Sequence, residues 1–350
     1  MLRQLARLTR PYPVAGPDAL AFAIYADADD GTVTAAETGY EGVACVDDAA
    51  RGVVLLSDLW ARTGRQGPRA WAHGLLTFVL WMEAEDGAWL NFAADWEGGR
   101  NASAQTSRAG GLFWQARALR ALARAHVVLA DPPAARPLAR ALAFARAADA
   151  PPDVRALHAL AALDLRDAHP SVDRDLSAWC DEIASVRDGD ALLNAPGERG
   201  GPHLWGHLQE GVLAEAGRAL GRAELVRVAE RSAAAVVIPA IESGFSLPVA
   251  QPYAVASAAF AMERLHAATG DERYRRYAAD ARAWFDGRNG ARAPVYDRER
   301  GRVADGIDVD RVSANSGAES NIVGAQALID EVARALASGR YDSELAVYAA

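Results

Sequence analysis

Two kinds of helical segment alternate along this chain, and that alternation limits the fold more than any other feature. Reading helix starts from capping residues and helix stops from glycine and proline gives segments at 47–63, 67–85, 109–130, 133–149, 152–168, 170–187, 205–221, 223–242, 251–269, 271–287 and 314–337. A twelfth helix is available from the first 25 residues or from the last ten. The odd members are apolar around much of their circumference, as in "RGVVLLSDLW", "ALHALAALDL" and "AVASAAFAM". The even members carry a charged face, as in "PSVDRDLSAWCDEIA" and "DERYRRYAADARAWF". A helix apolar nearly all round is buried, and one with a charged face lies outside, so inner and outer helices alternate. No set of alternating strands competes with this pattern.

Loop length alternates in step. Inner-to-outer connections are tight ("ARTGRQG", "ADPP", "DAHPS", "ALGRAE", "AATGDE"), whereas those near 86–108, 188–204 and 288–313 are long. Long connections without regular structure are usually functional, and these three would share the face on which inner helices start. Five inner/outer pairs and a partial sixth describe an all-α (α/α)6 barrel occupying residues 1–350 as a single domain. At this point the chain resembles the six-hairpin glycosidase superfamily over nearly its full length. An α-solenoid would share the hairpin period of about 40–50 residues, but would leave three long, polar, aromatic-rich loops on one face without a reason.

Composition removes several function classes. The formal net charge is −9, against the concentrated basic face that nucleic-acid binding needs. No long apolar run free of charge suggests a membrane span. The N-terminal "MLRQLARLTRPYPVAGPDAL" lacks the apolar core of a secretion signal, which leads us to expect a cytoplasmic protein. All 37 basic residues are arginine. Without lysine there is no Schiff-base catalysis and no P-loop phosphate lysine. Two cysteines, Cys45 and Cys180, supply neither a disulfide framework nor a four-thiolate metal site.

Residues suited to sugar chemistry collect at the starts of inner helices and in the loops before them. They are Asp47, Asp48 and Arg51; Asp95, Trp96, Arg108, Trp114 and Gln115; and His203, Trp205, His207, Gln209 and Glu210. Further along come Gln251 and Tyr253, then Asp308, Asp310, Asn315, Glu319 and Asn321 in "DGIDVDRVSANSGAESN". In a ring of hairpins these segments would converge on one central funnel. Aromatic faces stack on pyranose C–H surfaces, while planar polar side chains bind hydroxyl pairs. Among nine tryptophans, Trp89, Trp96, Trp114 and Trp205 lie in or beside the long loops, as stacking residues would; Trp60, Trp71, Trp81, Trp179 and Trp284 read as packing.

Glycoside hydrolysis needs two carboxyl groups, one to protonate the leaving oxygen and one to attack or to activate water. Asp47, Asp48, Glu210 and Glu319 are the catalytic candidates. As plain structure, Asp47 and Asp48 are a helix cap and a first-turn acid, with Asp48 one turn from Arg51. Against that, the apolar "GYEGVACV" before them would bury the helix start, and two close carboxylates push their pKa values apart. The pair is also similar to the adjacent aspartates of endo-mannanase-like α-toroid glycosidases, where both act in catalysis. Here Ala49, Ala50 and Arg51 follow, in place of the aromatic residues of that pattern. The candidate substrate-binding residues are Asp95, Trp96, Arg108, Trp114, Gln115, His203, Trp205, His207, Gln251, Tyr253, Asn315 and Asn321.

The expectation is a glycoside hydrolase acting on an oligosaccharide or glycan fragment, with no cofactor and no metal. His203 and His207, four apart with Glu210 beyond, do not form the H-E-x-x-H metal pattern. They support a second reading, a sugar epimerase or isomerase using paired histidines. A third is a glycan-binding protein without turnover. His73, His126, His158, His169 and His266 read as structural or exposed. A terpenoid cyclase is disfavoured because no aspartate-rich D-x-D-D or D-D-x-x-D signature is present. The expected partner is a carbohydrate, with no nucleic acid and no membrane; oligomeric state is left open.

Overall fold

The helix after "GYEGVAC" begins at a sulfur. In the computed structural model, which describes residues 1–24, 41–84 and 87–349 (side chains as far as residue 345), helix α2 spans Val46–Thr63. Its N-cap is Cys45, whose Sγ accepts from the Asp48 backbone N–H at 3.5 Å. The cap therefore lies two residues before the expected Asp47: Asp47 and Asp48 both sit inside the first turn, where the helix dipole favours acids. Gly39 and Tyr40 of the preceding stretch lie outside the described residues.

By its contacts the chain forms two compact units. The first comprises Met1–Ala148, Arg298–Arg302 and Ala314–Ala350; the second comprises Asp149–Asp297 and Val303–Ser313. In the first, α1 is Leu2–Leu8, α3 is Gln66–Trp81, α4 is Leu112–Arg124 and α5 is Ala135–Ala147. In the second, α6 is Pro152–Leu165, α7 is Asp173–Ser185, α8 is Gln209–Leu220 and α9 is Ala223–Ser232. It continues with α10, Ile238–Glu242, then α11, Pro252–Thr269, and α12, Glu272–Ala283. The first unit closes with α13, Ala318–Ala327, α14, Ile329–Ala337, and α15, Asp342–Ala349.

Each unit contains three hairpins, and each hairpin begins with a buried helix: α2, α4 and α13 in one, α6, α8 and α11 in the other. Proline at the first helical position opens α6 and α11, where the missing N–H costs nothing. Glycines in the left-handed conformation close α2, α8 and α11 at Gly64, Gly221 and Gly270. The partner helices α5, α7, α9 and α12 expose charged faces, as their sequences require. Helix α3 departs from that rule: Trp71, Leu75, Phe78 and Val79 are buried, and α15 packs against it. The expected helix 314–337 is two helices. It breaks at Leu328, giving an apolar α13 followed by α14, which buries only Val332 and Leu336. The sixth hairpin is thus complete within one predicted segment.

The long connections carry short antiparallel strands instead of an extended sheet. In the first unit Ala44–Cys45 pairs with Phe92–Ala93, fastening the start of α2 to the loop before α4. In the second unit Arg187–Asp188 pairs with Ala191–Leu192. There too Ile307–Asp308 pairs both with Val249–Ala250, just before α11, and with Arg311–Val312. The helix expected from residue 205 starts at Gln209, so Trp205 and His207 belong to the loop. Among the described residues no helix is long and apolar enough to cross a membrane, and no group of His, Cys, Asp and Glu could hold a metal ion.

Candidate active site

In the first unit three carboxylates meet two arginines. Asp48 is 3 % exposed, and its Oδ1 accepts from Arg51 Nη1 at 3.0 Å, the pairing that the i,i+3 spacing implied. The other arm of the same guanidinium reaches Glu319 Oε1 at 2.7 Å, carrying the network from α2 to α13. Asp47 points a different way. Its Oδ1 lies 2.6 Å from Arg117 Nη1 on α4. Asn91 clamps it twice, accepting from the Asp47 backbone N–H at 3.2 Å and donating to Asp47 Oδ2 at 3.3 Å. The side chains of Asp47 and Glu319 are 20 % and 37 % exposed, whereas that of Asp48 is 5 % exposed. Two carboxylates thus open outward and one is sealed behind them.

The electrostatics follow from that arrangement. Three carboxylates against two guanidiniums leave one negative charge in excess. Burial pushes the Asp48 carboxyl up; Arg51 pulls it down, and Glu319 and Asp47 add to the rise. The result is a carboxyl near 7, a proton donor at neutral pH beside an aspartate whose carboxylate is held by an arginine. Burial, with help from Asp48 and Asp47, also raises the Cys45 thiol well above its ordinary range, so the capping sulfur stays neutral.

The other candidates of this unit divide by exposure. Trp89 is fully buried and donates its indole N–H to Val79 O, so no face of it is open to a ligand. Trp114, 8 % exposed, donates to Trp89 O, and Gln115 accepts from Trp89 N. These three pin the loop to α4. Asp95 Oδ1 accepts from the backbones of Glu97 and Gly99, closing its own turn. Trp96 is half-buried, 6.1 Å from Tyr12 ring to ring, and Arg108 and Asn315 are exposed. Asn321 is fully buried and donates to Ser316 Oγ and Gly317 O at the start of α13.

The second unit holds a different cluster. His207 faces an acceptor on each ring nitrogen: Asn194 Oδ1 at 2.7 Å from Nδ1 and Glu210 Oε1 at 2.9 Å from Nε2. Ser232 donates to the same Glu210 oxygen at 2.6 Å, Gln209 donates to Asn194 Oδ1, and Asn194 donates to His203 O. Glu210, Gln209 and His207 are all 2 % exposed or less. Burial raises the Glu210 carboxyl, but His207 and the hydrogen bonds from His207 and Ser232 outweigh it and hold it below the usual range. Nearer solvent, His203 lies exposed, 6.0 Å from Trp205, which meets Tyr253 edge-on at 5.3 Å. Gln251, the N-cap of α11, is exposed.

Three further residues shape these clusters from outside the motifs the sequence displays. Asn91 and Arg117 hold Asp47 from distant positions, and nothing local marks either of them. Asp153, in the first turn of α6, is 8 % exposed; burial raises its carboxyl, while the Val154 N–H and nearby His203 pull the other way. A first-turn acid on a buried helix was the available signal, the same one that marked Asp47 and Asp48.

No family model and no curated protein matches the chain. Solved structures do. A sugar epimerase from a ruminal bacterium is 14 % identical over 93 % of this chain and 95 % of its own, with a TM-score of 0.70. A D-mannose isomerase is 11 % identical over 95 % of both chains, also at 0.70. An α-1,6-mannanase from Salegentibacter is 13 % identical over 96 % of this chain and 97 % of its own, at 0.66. The fold they share with this chain is a ring of six helical hairpins. It is the all-α (α/α)6 toroid expected from the alternating helices, with three of its six hairpins in each unit. At these identities the likeness carries the six-hairpin fold and leaves the activity to the residues.

Proposed function

We propose that this protein is a carbohydrate-active enzyme, and specifically a glycoside hydrolase working through the carboxylates at the start of α2. One observation carries the reading: neighbouring aspartates in opposite environments. Asp47 is partly open and ion-paired with Arg117, while Asp48 is sealed and raised to about 7. That is the division a glycosidase needs, with Asp48 as general acid and Asp47 attacking the anomeric carbon or activating water. Glu319, tied to Asp48 through Arg51, serves as a positioning residue. The mannanase among the structural neighbours supports this class, and the epimerase and isomerase support the wider one.

The second reading, epimerisation or isomerisation, draws equally on the structural neighbours, an epimerase and an isomerase among them, and has one feature of the residues in its favour. His203 is exposed and lies near the raised Asp153 carboxyl. His207 fits that role less well, because both its ring nitrogens are engaged, by Asn194 and by Glu210. Incubation with α-1,6-mannooligosaccharides, cellobiose and mannose separates the two. Hydrolysis generates new reducing ends, and Asp47→Asn and Asp48→Asn should each abolish it. Products with unchanged reducing-end count but altered configuration, lost in His203→Ala and kept in Asp48→Asn, would overturn the hydrolase reading. Sugar binding without any product would overturn both.

A further inference from the structure

Asn91 lies in the long loop before α4, 3 % exposed, with each of its polar groups engaged. Its backbone N–H donates to Ser107 O at 3.1 Å, and its carbonyl accepts from the Val46 N–H at 2.8 Å. The side-chain Oδ1 accepts from the Asp47 N–H at 3.2 Å. The two N–H bonds of Nδ2 go to Asp47 Oδ2 at 3.3 Å and to Thr106 O at 3.1 Å. Only one orientation of the amide satisfies this set. Turned over, it would set Nδ2 against the Asp47 N–H and Oδ1 against a carboxylate and a carbonyl. The side chain is therefore fixed as a donor toward the Asp47 carboxylate.

Its support is fixed as well. The next two residues, Phe92–Ala93, pair with Ala44–Cys45 directly before α2. The Phe92 N–H donates to Ser107 Oγ at 2.7 Å, and that hydroxyl donates to Asn101 O at 2.6 Å. Loop and helix thus share one short ladder, so the amide and the carboxylate it holds move together. The two oxygens of Asp47 are left unequal. Oδ1 is enclosed beside Arg117, whose Nη1 lies 2.6 Å away. Of the two, Oδ2 is the oxygen that can face outward. A carboxylate oxygen has two lone-pair sites, and Asn91 occupies one of those on Oδ2 and leaves the other.

We propose that Asn91 is a positioning residue that presents Asp47 Oδ2 as the reacting oxygen, an assignment that rests on the hydrolase reading. The remaining lone pair of Oδ2 either bonds to the anomeric carbon or takes a proton from the water that does so. The bond from that carbon to the leaving oxygen breaks with its electron pair, and the leaving oxygen takes the proton of Asp48. Arg117 holds the charge of Asp47 at Oδ1, while Asn91 sets the direction of Oδ2. Without the Asn91 donor the carboxylate is free to turn about its Cβ–Cγ bond, and Oδ2 loses its aim.

Steady-state kinetics on an α-1,6-mannooligosaccharide and on a 4-nitrophenyl α-mannobioside, whose leaving group departs without a proton, tests this. Asn91→Asp keeps the acceptor for the Asp47 N–H and removes the donor to Oδ2. Its kcat should fall by about a hundredfold on both substrates, with KM close to the parent's. Asn91→Ala, which adds no charge, should lose as much. Asp48→Asn should instead recover much of its activity on the nitrophenyl substrate, because that reaction needs no acid. Ser107→Ala loosens the same loop without touching Asp47, so it should lower the thermal unfolding temperature and leave kcat at the parent value. Three results would each overturn the assignment: parent-like kcat in both Asn91 variants, recovery of Asn91→Asp on the nitrophenyl substrate as full as that of Asp48→Asn, or an equal loss of kcat in Ser107→Ala. Undiminished hydrolysis by Asp47→Asn would overturn the hydrolase reading itself, and the role of Asn91 with it.

Discussion

Asp48 and Glu210 occupy equivalent places, each in the first turn of a buried helix after a long or close-packed loop, and each almost wholly enclosed. Their carboxyls move in opposite directions. Asp48 rises to about 7 and Glu210 falls below its ordinary range. Burial is common to both, so neighbours decide. Glu210 has His207 and Ser232 on the same oxygen, whereas Asp48 must share one guanidinium with Glu319 and stands next to Asp47. A buried acid with its own partner is a structural fastening. A buried acid that shares its one partner with a second acid and stands beside a third keeps its proton, and a retained proton is what acid catalysis uses.

The largest expected effect follows from breaking the satisfied side. Glu210→Gln leaves His207 enclosed without its carboxylate, and removing one partner of a buried pair typically costs about 3–5 kcal/mol. Urea unfolding should show that loss for Glu210→Gln and for His207→Ala, with the double variant less destabilised than the sum. An unchanged unfolding midpoint in Glu210→Gln would remove the contrast and return Glu210 to the catalytic candidates.

Next in size is a difference in pH dependence. At Asp48 the folded carboxyl titrates near 7 and the unfolded one near the ordinary aspartate value, about 3.9. Between those values the folded state holds a proton that the unfolded state has released, so this group's contribution to stability falls as pH rises from about 4 to about 7. Glu210 runs the other way. Its folded pKa is depressed, so its contribution is present above about 4.5 and is lost as pH falls through the folded value. Denaturation midpoints measured from pH 4 to 8 should therefore decline with pH in the parent, relative to Asp48→Asn, which cannot titrate. Glu319→Gln removes a like charge and frees Arg51 for Asp48, so the Asp48 limb of any pH–activity profile should move to lower pH. A limb that moves up, or does not move, would show that Asp48 is not the group being read.

How much of this was legible follows the distance over which each interaction acts. Hairpins, the alternation of buried and charged helices, and the Asp48–Arg51 pair depend on residues within a turn or a loop of one another, and periodicity records them. The break at Leu328 was hidden because an apolar helix and an amphipathic one run together without a proline or glycine between them. Cys45 as a cap was hidden because a thiol is an unusual acceptor beside two aspartates. The clamps on Asp47 were hidden for a stronger reason. Asn91 and Arg117 reach it from the next loop and the next buried helix, and no one-dimensional spacing encodes that meeting. Trp89 sits in a long loop, as a stacking residue would, yet the Val79 carbonyl holds it inside. Loop position alone does not reveal burial.

The smallest expected effect tests whether the open rim of the second unit is separable from its closed core. Gly206 lies between Trp205 and His207 with φ of +69°, and a Cβ there would come within 3.3 Å of Tyr253 Oη. Alanine in the left-handed region costs about 1–2 kcal/mol, and the tyrosine tip can swing aside. Gly206→Ala should therefore lower the unfolding free energy by less than Glu210→Gln does, and should change Trp205 fluorescence by disturbing its edge contact with Tyr253. The His207–Asn194 and His207–Glu210 bonds lie on the far side of that residue and should hold the loop in register. If Gly206→Ala instead destabilises as severely as Glu210→Gln, the His203–Trp205 segment is part of the fastening. It would then move with the core, and the exposed histidine would lose its independence as a candidate proton carrier.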